Sequence, residues 1–97
     1  MNLRRKEQTV GAAVKNLIQH LGLEEKLRLM QVEDIWRKTM GENIAQHTLK
    51  IDSKQSTLMI FLDSPALRQE LSFGRNKILS ALHEELGAEI FTEVKFL

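Results

Sequence analysis

His20, His47 and His83 are the side chains best suited to hold a metal or move a proton near neutral pH, and their spacing serves neither purpose. No HExxH or comparable His/carboxylate set brings two ligands to one face. The carboxylate pairs Glu24/Glu25 and Glu84/Glu85 are adjacent in sequence and fall on polar helix faces, where solvation rather than acid–base work is their use. No serine stands in a nucleophile elbow, and no glycine run cradles phosphate or a dinucleotide. The chain also lacks cysteine, which removes thiolate ligands, Cys nucleophiles and disulfides together. These absences favour a binding protein without metal or cofactor over a small enzyme, which would need a convergent polar pocket.

Basic residues offer a different chemistry. Arg4, Arg5 and Lys6 cluster at the N-terminus, Arg37 and Lys38 close a helix, and Arg68 and Arg75 stand seven apart on what reads as one helical face. Each is a candidate phosphate contact, against the plainer alternative of a solvated face and a charged tail. A formal net charge of +1 makes whole-molecule attraction to nucleic acid weak, so any binding face must be local. Apolar chemistry is concentrated in "TLMIFL", residues 57–62. If Leu58, Ile60 and Leu62 point inward, Met59 and Phe61 point outward beside Lys50, Glu93 and Lys95. Two apolar side chains among charges suit a partner contact or a homodimer through the open sheet face. The competing reading has the N-terminal helical segment covering them. One aromatic is little support for base stacking.

The elements that position these residues follow from hydrophobic spacing. Residues 1–8 are expected to be a flexible segment, and 9–97 a single domain. Val10, Ala13, Val14, Leu17, Ile18 and Leu21 form the stripe of a helix over about 9–21. A second helix begins near Leu23, with Leu27, Met30, Trp36 and Met40 on its apolar side and Gly41 as its stop. "GENIAQHT" reads as a hinge plus a short helical turn. From Thr48 the period becomes two, with Leu49 and Ile51 inward, and "SKQS" turns the chain into a second strand. Ser64 and Pro65 open a third helix that runs to Gly87. Gly74 lies on its apolar stripe, where its missing side chain would admit another element, so no break is expected there. "AEIFTEVKFL" ends the chain as a third strand. The order α-α-β-β-α-β describes an α+β fold: a small three-stranded mixed sheet with helices packed on one face. Trp36 is expected to anchor the second helix in the core, and Gly41 to permit the sharp exit that follows.

A tryptophan late in a helix, Gly41, "IAQHT", a hairpin, "LDSPALRQEL" and a final "LGAEIFTEVKF" together resemble the DciA-like family of bacterial proteins, from about Val10 to Phe96. The resemblance implies a K-homology-like fold and a non-enzymatic adaptor that recruits or loads the replicative helicase DnaB onto single-stranded DNA without ATP hydrolysis. A stand-alone nucleic-acid-binding module is the alternative. Two departures bear on what is implied. Many members carry a long basic extension after the domain, whereas this sequence stops at Leu97. "GENI" also departs from the GxxG loop of nucleic-acid-binding K-homology domains, with Ile44 at the second glycine position. The longest apolar run is "LMIFL", far short of the roughly 20 residues of a membrane helix. A soluble, cytoplasmic protein is expected.

Overall fold

The computed structural model describes residues 3–97, with side chains from Val10 onward. Its elements are α1 (Leu3–Leu21), α2 (Glu24–Met40), α3 (Glu42–Gln46), β1 (Thr48–Lys54), β2 (Thr57–Leu62), α4 (Pro65–Phe73), α5 (Arg75–Leu86) and β3 (Glu93–Phe96). The expected α+β order is present, with the short turn after Gly41 as α3 and the third helix in two pieces.

β2 is the central strand, antiparallel to β1 and parallel to β3. A parallel neighbour requires a crossover, and α4 and α5 supply it. Ser64 opens that crossover by accepting the Leu67 N–H at 3.3 Å, with Pro65 at the first helical position. Leu58, Ile60 and Leu62 of β2 are buried, while Met59 and Phe61 alternate to the other face. The buried side meets Val32 and Trp36 of α2, Leu71 of α4 and Leu82 of α5, and Ile51, Phe91 and Val94 complete the core.

The structure corrects four expectations. Leu49 is 69% exposed although Ile51 is buried, because the β1–β2 register shifts between Thr48 and Lys50. A bulge inserts an extra residue on one strand and restarts the in–out alternation after it. In α2 the buried stripe is Val32 and Trp36, flanked by Leu29, Ile35 and Met40, whereas Leu27 and Met30 are exposed. Two apolar stripes coexist on that helix, and the sheet selects the one continuous with Trp36.

Gly74 breaks the crossover helix, with its N–H bonded to the Leu71 carbonyl three residues back at 3.1 Å. No other element approaches it. A Cβ there would meet only the Leu71 carbonyl oxygen, at 3.9 Å. Glycine is the least favourable non-proline residue inside a helix, so the long helix yields there. Arg68 and Arg75 consequently stand on separate helices rather than on one shared face.

The fourth correction concerns α1. The helix begins at Leu3 rather than near Thr9, and among the described residues it has no extensive contact with a strand. Val10, Val14, Leu17 and Leu21 are 52–58% exposed, so this part of the N-terminal helix does not lay its apolar stripe over Met59 and Phe61. The molecule measures 60 × 23 × 22 Å, with a Cα radius of gyration of 16.6 Å. A compact 100-residue domain has about 13 Å, and the projecting α1 accounts for the excess.

Candidate nucleic-acid interface

Around Trp36 the chain builds a joint, and its polar groups are turned toward one another. The indole Nε1 donates to Thr48 Oγ1 at 2.9 Å, and that hydroxyl donates to the Ile44 carbonyl at 2.9 Å. One relay thereby ties α2 to α3 and β1. The ring is 2% exposed and lies 6.1 Å from the Phe96 ring at 34°. Gly41 makes the exit between α2 and α3 at φ 89° and ψ 165°, a combination open in practice only to glycine. The tryptophan therefore has no free polar atom for a ligand, and "GENI" is part of this joint.

Two of the histidines, His47 and His83, are likewise placed by hydrogen bonds. His47 Nδ1 lies 2.8 Å from Asp63 Oδ1. His83 Nε2 accepts the Phe91 N–H at 3.2 Å, with the two rings stacked, which fastens the loop between α5 and β3. Among the described residues, no group of three His, Asp or Glu side chains is placed to hold a metal ion.

The basic candidates do not form one patch. Arg37 pairs with Glu42 at 3.5 Å and Lys38 with Glu85 at 3.4 Å, both in solvent, where such pairs are weak and exchange readily. Lys38 reaches the C-terminal end of α5, and Arg75 opens the same helix about 15 Å away. Arg68 donates one N–H to the Leu62 carbonyl at 2.9 Å, which ties its guanidinium to the end of β2. Arg4, Arg5 and Lys6 have helical backbone, and their side chains lie outside the described residues.

On the outer face of the sheet, Phe61 sits opposite Lys50, whose ammonium is 5.7 Å from the ring centroid. Met59 lies between Asp52 and Lys95 in register. The N–H of Ser53 bonds to Asp52 Oδ1 at 2.8 Å and Lys50 reaches Oδ2 at 3.3 Å, and in that order they hold the Asp52 carboxyl below the usual carboxylate range. Lys50 thus divides its charge between a carboxylate and an aromatic face. The two apolar side chains remain half-buried rather than covered.

A protein-family model described as "Dna[CI] antecedent, DciA" matches residues 9–96. The chain belongs to the DciA family. A curated relative, the UPF0232 protein of Corynebacterium glutamicum (strain R), is 30% identical over 91 residues. That alignment covers 94% of this chain and 51% of the relative, so the chain spans about half the relative's length. No solved structure matches.

In this member of the DciA family the α4–α5 turn gathers around the candidate Arg75 two exposed groups, Phe73 and Lys77, that were not among the sequence candidates. Phe73 is 84% exposed, the most of any large apolar residue described. Arg75, Asn76 and Lys77 follow it in the first turn of α5, all exposed, and that helix start has no side-chain cap. Arg75 makes one long bond, Nε to the Ser72 carbonyl at 3.4 Å, and Lys77 has no ion pair among the described residues. An open groove beside this turn is bordered by Ser72, Leu79 and Thr92 and by the carboxylate-bearing Glu93. An aromatic face, two cations and a helix start without a side-chain cap suit a phosphodiester chain with an unstacked base. The available signal was an aromatic off the apolar stripe, next to a glycine and two basic residues.

Proposed function

We propose that the protein is a non-enzymatic adaptor of bacterial DNA replication, working in the cytoplasm, that recruits or loads the replicative helicase DnaB. Membership of the DciA family over residues 9–96 carries this reading. In it, the α4–α5 turn touches single-stranded DNA, with Phe73 stacking on a base and Arg75 and Lys77 on phosphates. K-homology domains clamp a nucleic-acid backbone with a GxxG turn. "GRNK" at residues 74–77 has the first glycine and a lysine in place of the second. The outer sheet face, with Met59 and Phe61, is the surface offered to the helicase. An apolar pair set among opposite charges suits a contact that must also release.

The test is a calorimetric titration of the 97-residue chain against DnaB of its own organism, with and without single-stranded DNA. Saturable binding at micromolar concentration or below is expected. A Met59→Glu/Phe61→Glu variant should lose helicase binding and keep DNA binding, and an Arg75→Glu/Lys77→Glu variant should do the reverse. Salt-sensitive binding to DNA with none to helicase would replace the adaptor with a stand-alone nucleic-acid module.

A further inference from the structure

We propose that α1 pairs two copies of this chain, antiparallel, through Val10, Val14, Leu17 and Leu21. The inference stands apart from the helicase reading and concerns a surface that reading does not use.

A single helix of 19 residues is marginal in water, and helices in proteins draw most of their stability from packing an apolar face. α1 has such a face and does not pack it. Four of its large apolar residues, Val10, Val14, Leu17 and Leu21, are spaced four, three and four apart, the a/d spacing of a coiled-coil seam, and these four are more than half exposed. Leu27 and Met30, on α2 beyond the turn at Gly22, are also exposed. The helix is also no appendage to the family unit, since the family match begins at residue 9 and takes in most of it.

The seam is complementary to itself. Placing a two-fold axis between residues 15 and 16 sets Val10 against the partner's Leu21 and Val14 against the partner's Leu17, so all four positions meet apolar side chains. A parallel pair would also match them, and charge decides between the two. The basic run Arg4-Arg5-Lys6 lies at one end of α1, and Glu24 and Glu25 follow just beyond the other. Antiparallel pairing keeps the two basic runs at opposite ends of the pair, whereas parallel pairing brings them to the same end. The outer sheet face is the weaker candidate for self-association, because Lys50 and Lys95 flank its two apolar residues.

Sedimentation equilibrium of the full chain from low to high micromolar concentration is expected to show the mass rise from 11.2 kDa to twice that value. Leu17→Glu, at an exposed position, should leave the fluorescence of the buried Trp36 in place, lower helicity by no more than the share of α1, and weaken association at least tenfold. The cysteine-free chain permits a direct test of orientation. Mixed Val14→Cys and Leu17→Cys chains should form a mixed disulfide on mild oxidation, and neither alone should cross-link efficiently. A chain that stays at 11.2 kDa throughout overturns the proposal, as do disulfides formed by each variant with itself.

Discussion

Gly41 and Gly74 both end helices, yet the backbone needs glycine at only the first. At Gly41, φ is 89° and ψ is 165°, so a Cβ is strained even though no atom lies near it. Gly41→Ala should destabilise by about 1–3 kcal/mol. At Gly74, φ is −103° and the nearest atom to a Cβ is at 3.9 Å, so Gly74→Ala should be neutral or stabilise by up to about 1 kcal/mol through the unfolded chain. Urea denaturation of both variants checks the contrast. The Trp36–Thr48–Ile44 relay makes a second prediction at this scale. Thr48→Val removes the acceptor of the indole N–H and should cost about 1–3 kcal/mol, and most of that cost should disappear when Trp36 is already Phe. The roles of Trp36 and Gly41 were legible because a bulky apolar ring at a helix end and a glycine after it each permit few environments. Gly74 was misread because its position on an apolar stripe suggests close packing, while a helix break produces the same sequence.

At the scale of elements, β1 shows how one local irregularity defeats a periodic reading. Its alternation is legible from Ile51 onward, and the bulge before it reverses Leu49. Leu49→Lys should therefore change stability by no more than about 0.5 kcal/mol. Ile51→Ala, two residues on, should cost about 2–5 kcal/mol. In β2 the alternation is unbroken, so Leu58, Ile60 and Leu62 fell on the expected inner face and Met59 and Phe61 on the outer one. The helix α2 was less legible, since its apolar residues define two stripes and only contact with the sheet chooses between them. Asp52 adds a pH dependence to the hairpin. Its folded pKa is lowered from 3.8, so its stabilisation is present above that value and is lost as pH falls through the lower folded one. Asp52→Asn should be less stable than the parent in neutral buffer. That deficit should vanish in strongly acidic buffer, as read from denaturation midpoints.

For the whole molecule, the order of elements was legible and the arrangement of charge was not. Seven basic residues read as candidate phosphate contacts, but Arg68 is tied to the Leu62 carbonyl, and Arg37 and Lys38 lie with acidic partners away from Arg75. Those relations are between segments distant in sequence, which periodicity cannot report. The net charge of +1 then limits what nucleic-acid binding can look like. A local site built on Arg75 and Lys77 displaces few counterions. With two phosphate contacts, the logarithm of affinity for single-stranded DNA should fall against the logarithm of salt with a slope of about −1.4. Arg75→Glu/Lys77→Glu should bring that slope near zero. Phe73→Ala should weaken binding by about 1–3 kcal/mol and leave the slope unchanged, because base stacking releases no counterions. Fluorescence anisotropy of a short labelled oligonucleotide across a salt series separates the two contributions. A steep slope that survives the double charge reversal would move the phosphate contacts elsewhere, with Arg4, Arg5 and Lys6 on α1 the next residues to reverse.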